Sequence, residues 1–175
     1  MNRPQLLKRL DRAWLAFTSS YAGLSDAEML TPGVTGRWSV RDIVAHVITW
    51  EEEALKHLPL IQKGGTPPRY SVLFGGIDAF NAQMTERRKD LSLAEVLSRA
   101  ETTHGRLINF LSTVPEDQFI GETPLRHRLR LDTYGHYPKH AGPIRKWRET
   151  RGSCAGLQRA DLSGKQLTLE ALFAD

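Results

Sequence analysis

His136 and His140 stand four residues apart in the stretch Asp132-Thr133-Tyr134-Gly135-His136-Tyr137-Pro138-Lys139-His140. On a helix this spacing puts both imidazoles on one face, one turn apart, the arrangement by which a helix offers two ligands to one metal ion. Two ligands do not make a site. Six histidines in 175 residues give such a pair by accident in roughly one chain in six, so a third donor has to be found. His46 is the candidate. It falls on the apolar stripe Ile43, His46, Val47, Trp50, Ala54 and Ile61, where a neutral imidazole needs a partner. Three neutral imidazoles suit a divalent transition metal, Zn, Ni or Fe. They leave one or more positions open for water or substrate, which is the catalytic pattern. The competing reading has His136 bonded to backbone or to Tyr137, and His46 as a satisfied core histidine.

The positioning elements read as helices. Leu6, Leu7, Leu10, Ala13, Trp14, Phe17 and Tyr21 recur at spacings of three and four, giving a helix over 3–22 with Asn2 as cap and Pro4 in the first turn. Ser25 and Glu28 form a capping box on one short turn. Ser39 and Asp42 open the helix that carries His46; Trp38 is placed to staple onto it, and Pro59 should kink it or end it early. Residues 64–76 read as a long loop, followed by a short segment capped by Asp78. Ser92 and Glu95 start a helix that Pro115 stops. Residues 115–131 read as a loop with a short extended piece, and Asp132 as the cap of a last helix running to about Thr150, with Pro138 and Pro143 inside it. No strand pattern is present. The fold class expected is all-α, a four-helix bundle over 1–151 with a short extra helical segment, and a C-terminal extension over 152–175. In that extension Leu167, Leu169, Leu172 and Phe173 could form a docking helix.

Composition narrows the classes of function. The chain is 40% hydrophobic and 25% charged, ordinary for one globular domain. No apolar run approaches the ~20 residues of a membrane span. The single cysteine, Cys154, excludes an internal disulfide and a cysteine-rich zinc site. With a patterned helix and no secretory segment at the N-terminus, it points to the cytoplasm. The net charge is +4, with Arg126, Arg128 and Arg130 ahead of the histidine pair and Arg145, Lys146, Arg148 and Arg151 behind it. These read as a solvated face and as cations near a helix C-terminus. Without an aromatic-rich nucleic-acid motif, neither nucleic acid nor membrane is expected as a partner. A small molecule is.

Two distant motifs carry a resemblance. Trp38-Ser39-Val40-Arg41-Asp42-Ile43-Val44-Ala45-His46-Val47 with Trp50-Glu51 resembles the second helix of the DinB/YfiT-like metalloenzyme superfamily. Asp132 to His140, running into Ile144-Arg145-Lys146-Trp147, resembles that superfamily's last core helix. Ile77-Asp78-Ala79-Phe80-Asn81 and the Ile-Arg-Lys-Trp ending point to its ClbS/DfsB branch. The resemblance implies a four-helix bundle, often a homodimer, with a divalent metal held by His46, His136 and His140. It also implies hydrolysis or thiol transfer on a small electrophile, in detoxification or self-protection. The alternative is a non-catalytic protein that sequesters such a compound.

Other residues have plainer roles. Glu53 returns to the face of His46 two turns on, at ~10 Å along the axis, too far to share one ion; a salt-bridge partner is favoured over a general base. Trp50 is placed as pocket wall or core, and His104 as a core histidine or support near the site. His57 and His127 are expected to be exposed. Tyr134 and Tyr137 flank the pair, to bond a substrate or to pack. Arg145 is expected to point away from the metal, and Cys154 to have no nucleophilic role.

Overall fold

The computed structural model describes residues 1–151. The docking residues read between Leu167 and Phe173, and Cys154, lie outside the described residues. Among the described residues all regular structure is helical: α1 (Arg3–Tyr21), α2 (Asp26–Leu30), α3 (Val40–Gln62), α4 (Tyr70–Leu73), α5 (Ile77–Arg88), α6 (Leu93–Thr113), a 3-10 turn (Glu116–Phe119) and α7 (Pro124–Asp132). A further helix, α8, runs over 137–151. The all-α bundle follows from the stripes read above. No helix among the described residues is long and apolar enough to cross a membrane.

Helix starts are set by side chains that satisfy the otherwise orphaned first N–H groups. Asn2, Ser25, Ser39 and Ser92 each form a capping box with the residue three positions on. At α3 the Asp42 carboxylate reaches back to the Ser39 N–H at 3.0 Å. The helix so fixed is the centre of the bundle, packing on α2, α5, α6 and α7. Its Val40, Ile43, Val44, Val47, Ile48, Ala54 and Leu58 join Leu6, Leu10 and Phe17 of α1, Val96, Leu107 and Leu111 of α6, and Tyr137 and Ile144 of α8 in one core. Arg41 is buried and donates to the carbonyls of Arg88, Lys89 and Leu91, tying the end of α5 to the start of α3.

Several boundaries differ from expectation. The stretch 115–131 is largely helical. Thr123 caps α7 by accepting from Arg126 N at 3.2 Å, Pro124 occupies its first turn, and Leu125 and Leu129 point into the core. Asp132 therefore ends a helix and caps none. Its carboxylate instead binds Arg128, four residues back, at 2.5 Å. Pro59 lies inside α3, which continues to Gln62. α5 begins after Gly76, whose φ of 127° suits glycine, so Asp78 falls in its first turn. The loop expected over 64–76 contains the short helix α4.

Candidate metal centre

His46 projects from the second turn of α3. His136 and His140 come from the segment after α7, and not from one continuous helix. Residues 133–136 form a tight turn between α7 and α8, so His136 precedes α8 and His140 sits in its first turn. The turn closes through Gly135 N donating to Arg130 O at 3.0 Å and His136 N donating to Thr133 O at 2.7 Å. A Cβ on Gly135 would stand 2.6 Å from the Arg130 carbonyl oxygen, so only glycine lets the chain pass there. Pro138 falls at the start of α8, where its missing N–H costs nothing.

The three imidazoles meet at their Nε2 atoms. His136 Nε2 lies 3.2 Å from His46 Nε2 and 2.9 Å from His140 Nε2. All three ligand atoms fall within 4.8 Å of one another. Nitrogens bound ~2.0–2.1 Å from a common ion stand ~2.9–3.4 Å apart at ligand angles of ~90–110°, so both short separations fit a shared cation. Proton sharing cannot satisfy the set, because His136 Nε2 has two imidazole neighbours and at most one proton to give. His136 is buried, and its Nδ1 has no hydrogen-bond partner among the described residues. His46 and His140 are half-buried.

Burial keeps all three rings neutral. It lowers His46 to about 3, with the charge of His140 adding to the effect. It lowers His136 to about 2, helped by His140, His46 and Lys139, and His140 to about 4, helped by Lys139. The neutral imidazole is the ligand form. Trp38 packs on His46 with ring centroids 5.0 Å apart. Trp50 stands 6.5 Å from His46 and 6.1 Å from His136, and its Nε1 donates to Asn81 Oδ1 at 3.2 Å. The tryptophans wall the centre, as the stripe implied for Trp50.

Other candidates go elsewhere. Glu53 accepts from the Tyr70 hydroxyl at 2.6 Å and lies 3.2 Å from Lys56 Nζ and 3.0 Å from His57 Nε2. It is a structural partner. His57 is buried, not exposed as expected, because this carboxylate gives its imidazole a partner inside the bundle. His127 and Arg145 are exposed. Tyr134 is buried beneath the Arg9 guanidinium, 4.9 Å from its ring. The residue that sequence reasoning passed over is Glu51, fully buried. It accepts a hydrogen bond from the Tyr137 hydroxyl and lies 2.9 Å from His104 Nδ1. Its position four residues after Val47 and three before Ala54 marked it as inward-facing.

The chain belongs to the DinB superfamily, whose family model matches residues 9–143. A search of curated protein sequences finds no match. Among solved structures, the colibactin self-resistance protein ClbS in complex with a dsDNA has a TM-score of 0.68 at 16% identity, covering 83% of this chain and 94% of that one. The sibling lethal factor precursor DfsB gives 0.68 at 15% identity, covering 86% and 97%. A protein from Streptococcus pneumoniae gives 0.70 at 13% identity, covering 85% and 91%. At these identities the likeness is one of fold, and it agrees with the resemblance read from the two motifs. The ClbS complex overturns one expectation. A protein of this fold binds duplex DNA, so the lack of an aromatic nucleic-acid motif is no ground for excluding that class of partner. Phosphate contacts need only cations on the surface.

Proposed function

We propose that His46, His136 and His140 hold a divalent transition metal ion (zinc, nickel or iron) in an enzyme that acts on a small electrophilic molecule. The observation that carries this reading is the convergence of three neutral Nε2 atoms, two pairs of them 2.9 and 3.2 Å apart. When bound, such an ion supplies Lewis-acid activation of water or a thiol near neutral pH, which suits hydrolysis or thiol transfer. The protein's part is to keep the imidazoles neutral by burial and to shield one side with Trp38 and Trp50. Asn81 fixes the orientation of the Trp50 indole. A protective role is supported by the shared fold with ClbS, a self-resistance protein; its proposed place is the cytoplasm. The bundle over 1–151 is the working unit, and 152–175 its extension.

Elemental analysis of protein purified without chelators or a metal-leaching tag tests this. About one ion per chain is expected, and loss of most of it in His140→Ala. Metal-free wild-type protein, with ligand protection intact in His140→Ala, would replace the enzyme by a sequestering protein.

A second reading is association with duplex nucleic acid, supported by the ClbS complex and by one basic surface. Lys8, Arg9 and Arg12 of α1 are exposed and line an open depression of about 460 Å³. Arg9 leads across Tyr134 toward the exposed Arg130, whose charge also reaches that tyrosine. Duplex binding measured by anisotropy between about 50 and 200 mM salt should weaken steeply. Neutralising Arg9 or Arg12 should lower the salt slope by about one each. No binding at the lower salt would end this reading.

A further inference from the structure

We propose that the hydrogen bond from Tyr137 to Glu51 is a cross-brace that sets the distance between the two ligand-bearing segments. Glu51 and Tyr137 are then positioning residues for the metal centre. The proposal rests on the metal reading above and adds residues to it.

The brace joins the right places. Glu51 lies on α3 five residues beyond His46, and Tyr137 directly follows His136 and precedes His140 by three. Both are fully buried. The Tyr137 hydroxyl donates to Glu51 Oε1 across the core. Two further helices hold the brace in aim. His104 of α6 places Nδ1 2.9 Å from the same carboxylate oxygen. Trp14 of α1 stacks on His104 with centroids 4.1 Å apart and planes 5° apart, and meets the edge of Tyr137 at 5.5 Å. Phe17 stacks on Tyr137 with centroids 6.0 Å and planes 23° apart.

The arrangement is poor as a source of stability. Glu51 Oε2 is buried with no hydrogen-bond partner among the described residues, and an unpartnered carboxylate oxygen in an apolar core costs free energy that a leucine would not. Buried polar groups of this kind are best attested as devices that fix register. Register is what a three-imidazole site needs, since ligands must be held within about 0.5 Å of the productive geometry. A slide of α8 along α3 would carry His136 and His140 away from His46 together. The brace, one residue from His136 and five from His46, opposes that slide.

The test is zinc affinity, measured by competition with a chromophoric chelator on the full chain. Tyr137→Phe keeps the ring and removes only the hydroxyl. It should weaken zinc binding by about tenfold or more, the scale on which supporting hydrogen bonds act on metal sites. Arg148→Met serves as the control for general destabilisation, since it removes donors to the Ser20 and Ala22 carbonyls at 2.9 and 3.1 Å away from the centre. Its zinc affinity should equal that of wild type. Glu51→Gln, which keeps an acceptor oxygen, should bind zinc more tightly than Glu51→Ala, and this pair decides the matter if Tyr137→Phe does not fold. Zinc bound by Tyr137→Phe within about twofold of wild type, or equal affinities in the two Glu51 variants, would overturn the brace and leave the metal reading standing. Wild-type protein that takes up no zinc, nickel or iron would remove both.

Discussion

Replacing Arg128 by methionine should destabilise the protein in a way that grows with pH. Arg128 Nε lies 2.5 Å from Asp132 Oδ2, with the two side chains 16% and 3% exposed. Its Nη2 donates to the Tyr70 hydroxyl at 2.8 Å, which in turn donates to Glu53. Burial raises the Asp132 carboxyl from 3.8 to about 7, against the pull of the Arg128 charge and hydrogen bond and with a push from Glu53. The folded value lies above the unfolded one, so the folded state holds the proton more tightly. Asp132's contribution is therefore fullest at low pH and is lost as pH rises from about 4 through about 7. Without Arg128 nothing offsets the burial, and the ionised carboxylate becomes costlier still. At about pH 8 the variant should lose about 1.4 kcal/mol more than at low pH, about 2–3 kcal/mol in all, because a carboxyl with a folded value of about 7 gains only that much by ionising one pH unit above it. At about pH 5 Asp132 is protonated with or without Arg128, and the loss should fall to about 1–2 kcal/mol, set by the Tyr70 hydrogen bond and by packing. With a urea dependence of about 2 kcal/mol per M, the shift in midpoint should be larger by about 0.7 M at the higher pH. Equal shifts at both pH values would refute the reasoning, because they would mean that Asp132 is ionised at neither or at both.

Other outcomes follow from single contacts. Gly135→Ala drives a Cβ to within 2.6 Å of the Arg130 carbonyl oxygen; the turn must open, costing about 1–3 kcal/mol in chemical denaturation and lowering zinc affinity through His136. Arg41→Met leaves the Arg88, Lys89 and Leu91 carbonyls without their donor and should cost about 2–4 kcal/mol in denaturation with no change in bound metal. Thr123→Ala removes the α7 cap and should cost about 1 kcal/mol. Zinc at about 1,000 times its Kd should stabilise the folded chain by about 4 kcal/mol, and no rise in Tm on adding zinc, nickel or iron would count against the centre.

Most of the bundle was legible because local signals and tertiary structure agree. The Asn2 cap, the capping boxes at Ser25, Ser39 and Ser92, and the stripes of α1, α3 and α6 needed no knowledge of partners. His46 was legible too, as a polar residue on a core-facing stripe. The last segment was harder. Pro138 and Pro143 blurred the boundary, and the turn at 133–136 depends on Gly135 passing a carbonyl from the preceding helix, a contact no periodicity reveals. α7 was missed although Thr123-Pro124 is a start signal and Leu125 and Leu129 share a face, because Glu122 and the arginines made the stretch read as loop. His57 is buried and not exposed because Glu53, read correctly as a salt-bridge partner, stands one turn back on the same helix and gives its imidazole a partner, a pairing not read for it in the sequence. Glu51 escaped notice for the opposite reason: its partners, Tyr137 and His104, lie 86 and 53 positions away in sequence.

The split origin of the three imidazoles also bears on how the protein is made. His46 and His136 are 90 positions apart, and ordering that much chain costs loop-closure entropy before any ligand set exists. During synthesis α1, α3 and α6 emerge first and can pack while the last donors are still inside the ribosome. An ion can meet the complete set only after His140 has emerged and the turn at 133–136 has closed. Metal capture is then a late step that reports a finished tertiary structure, and it cannot template the early bundle.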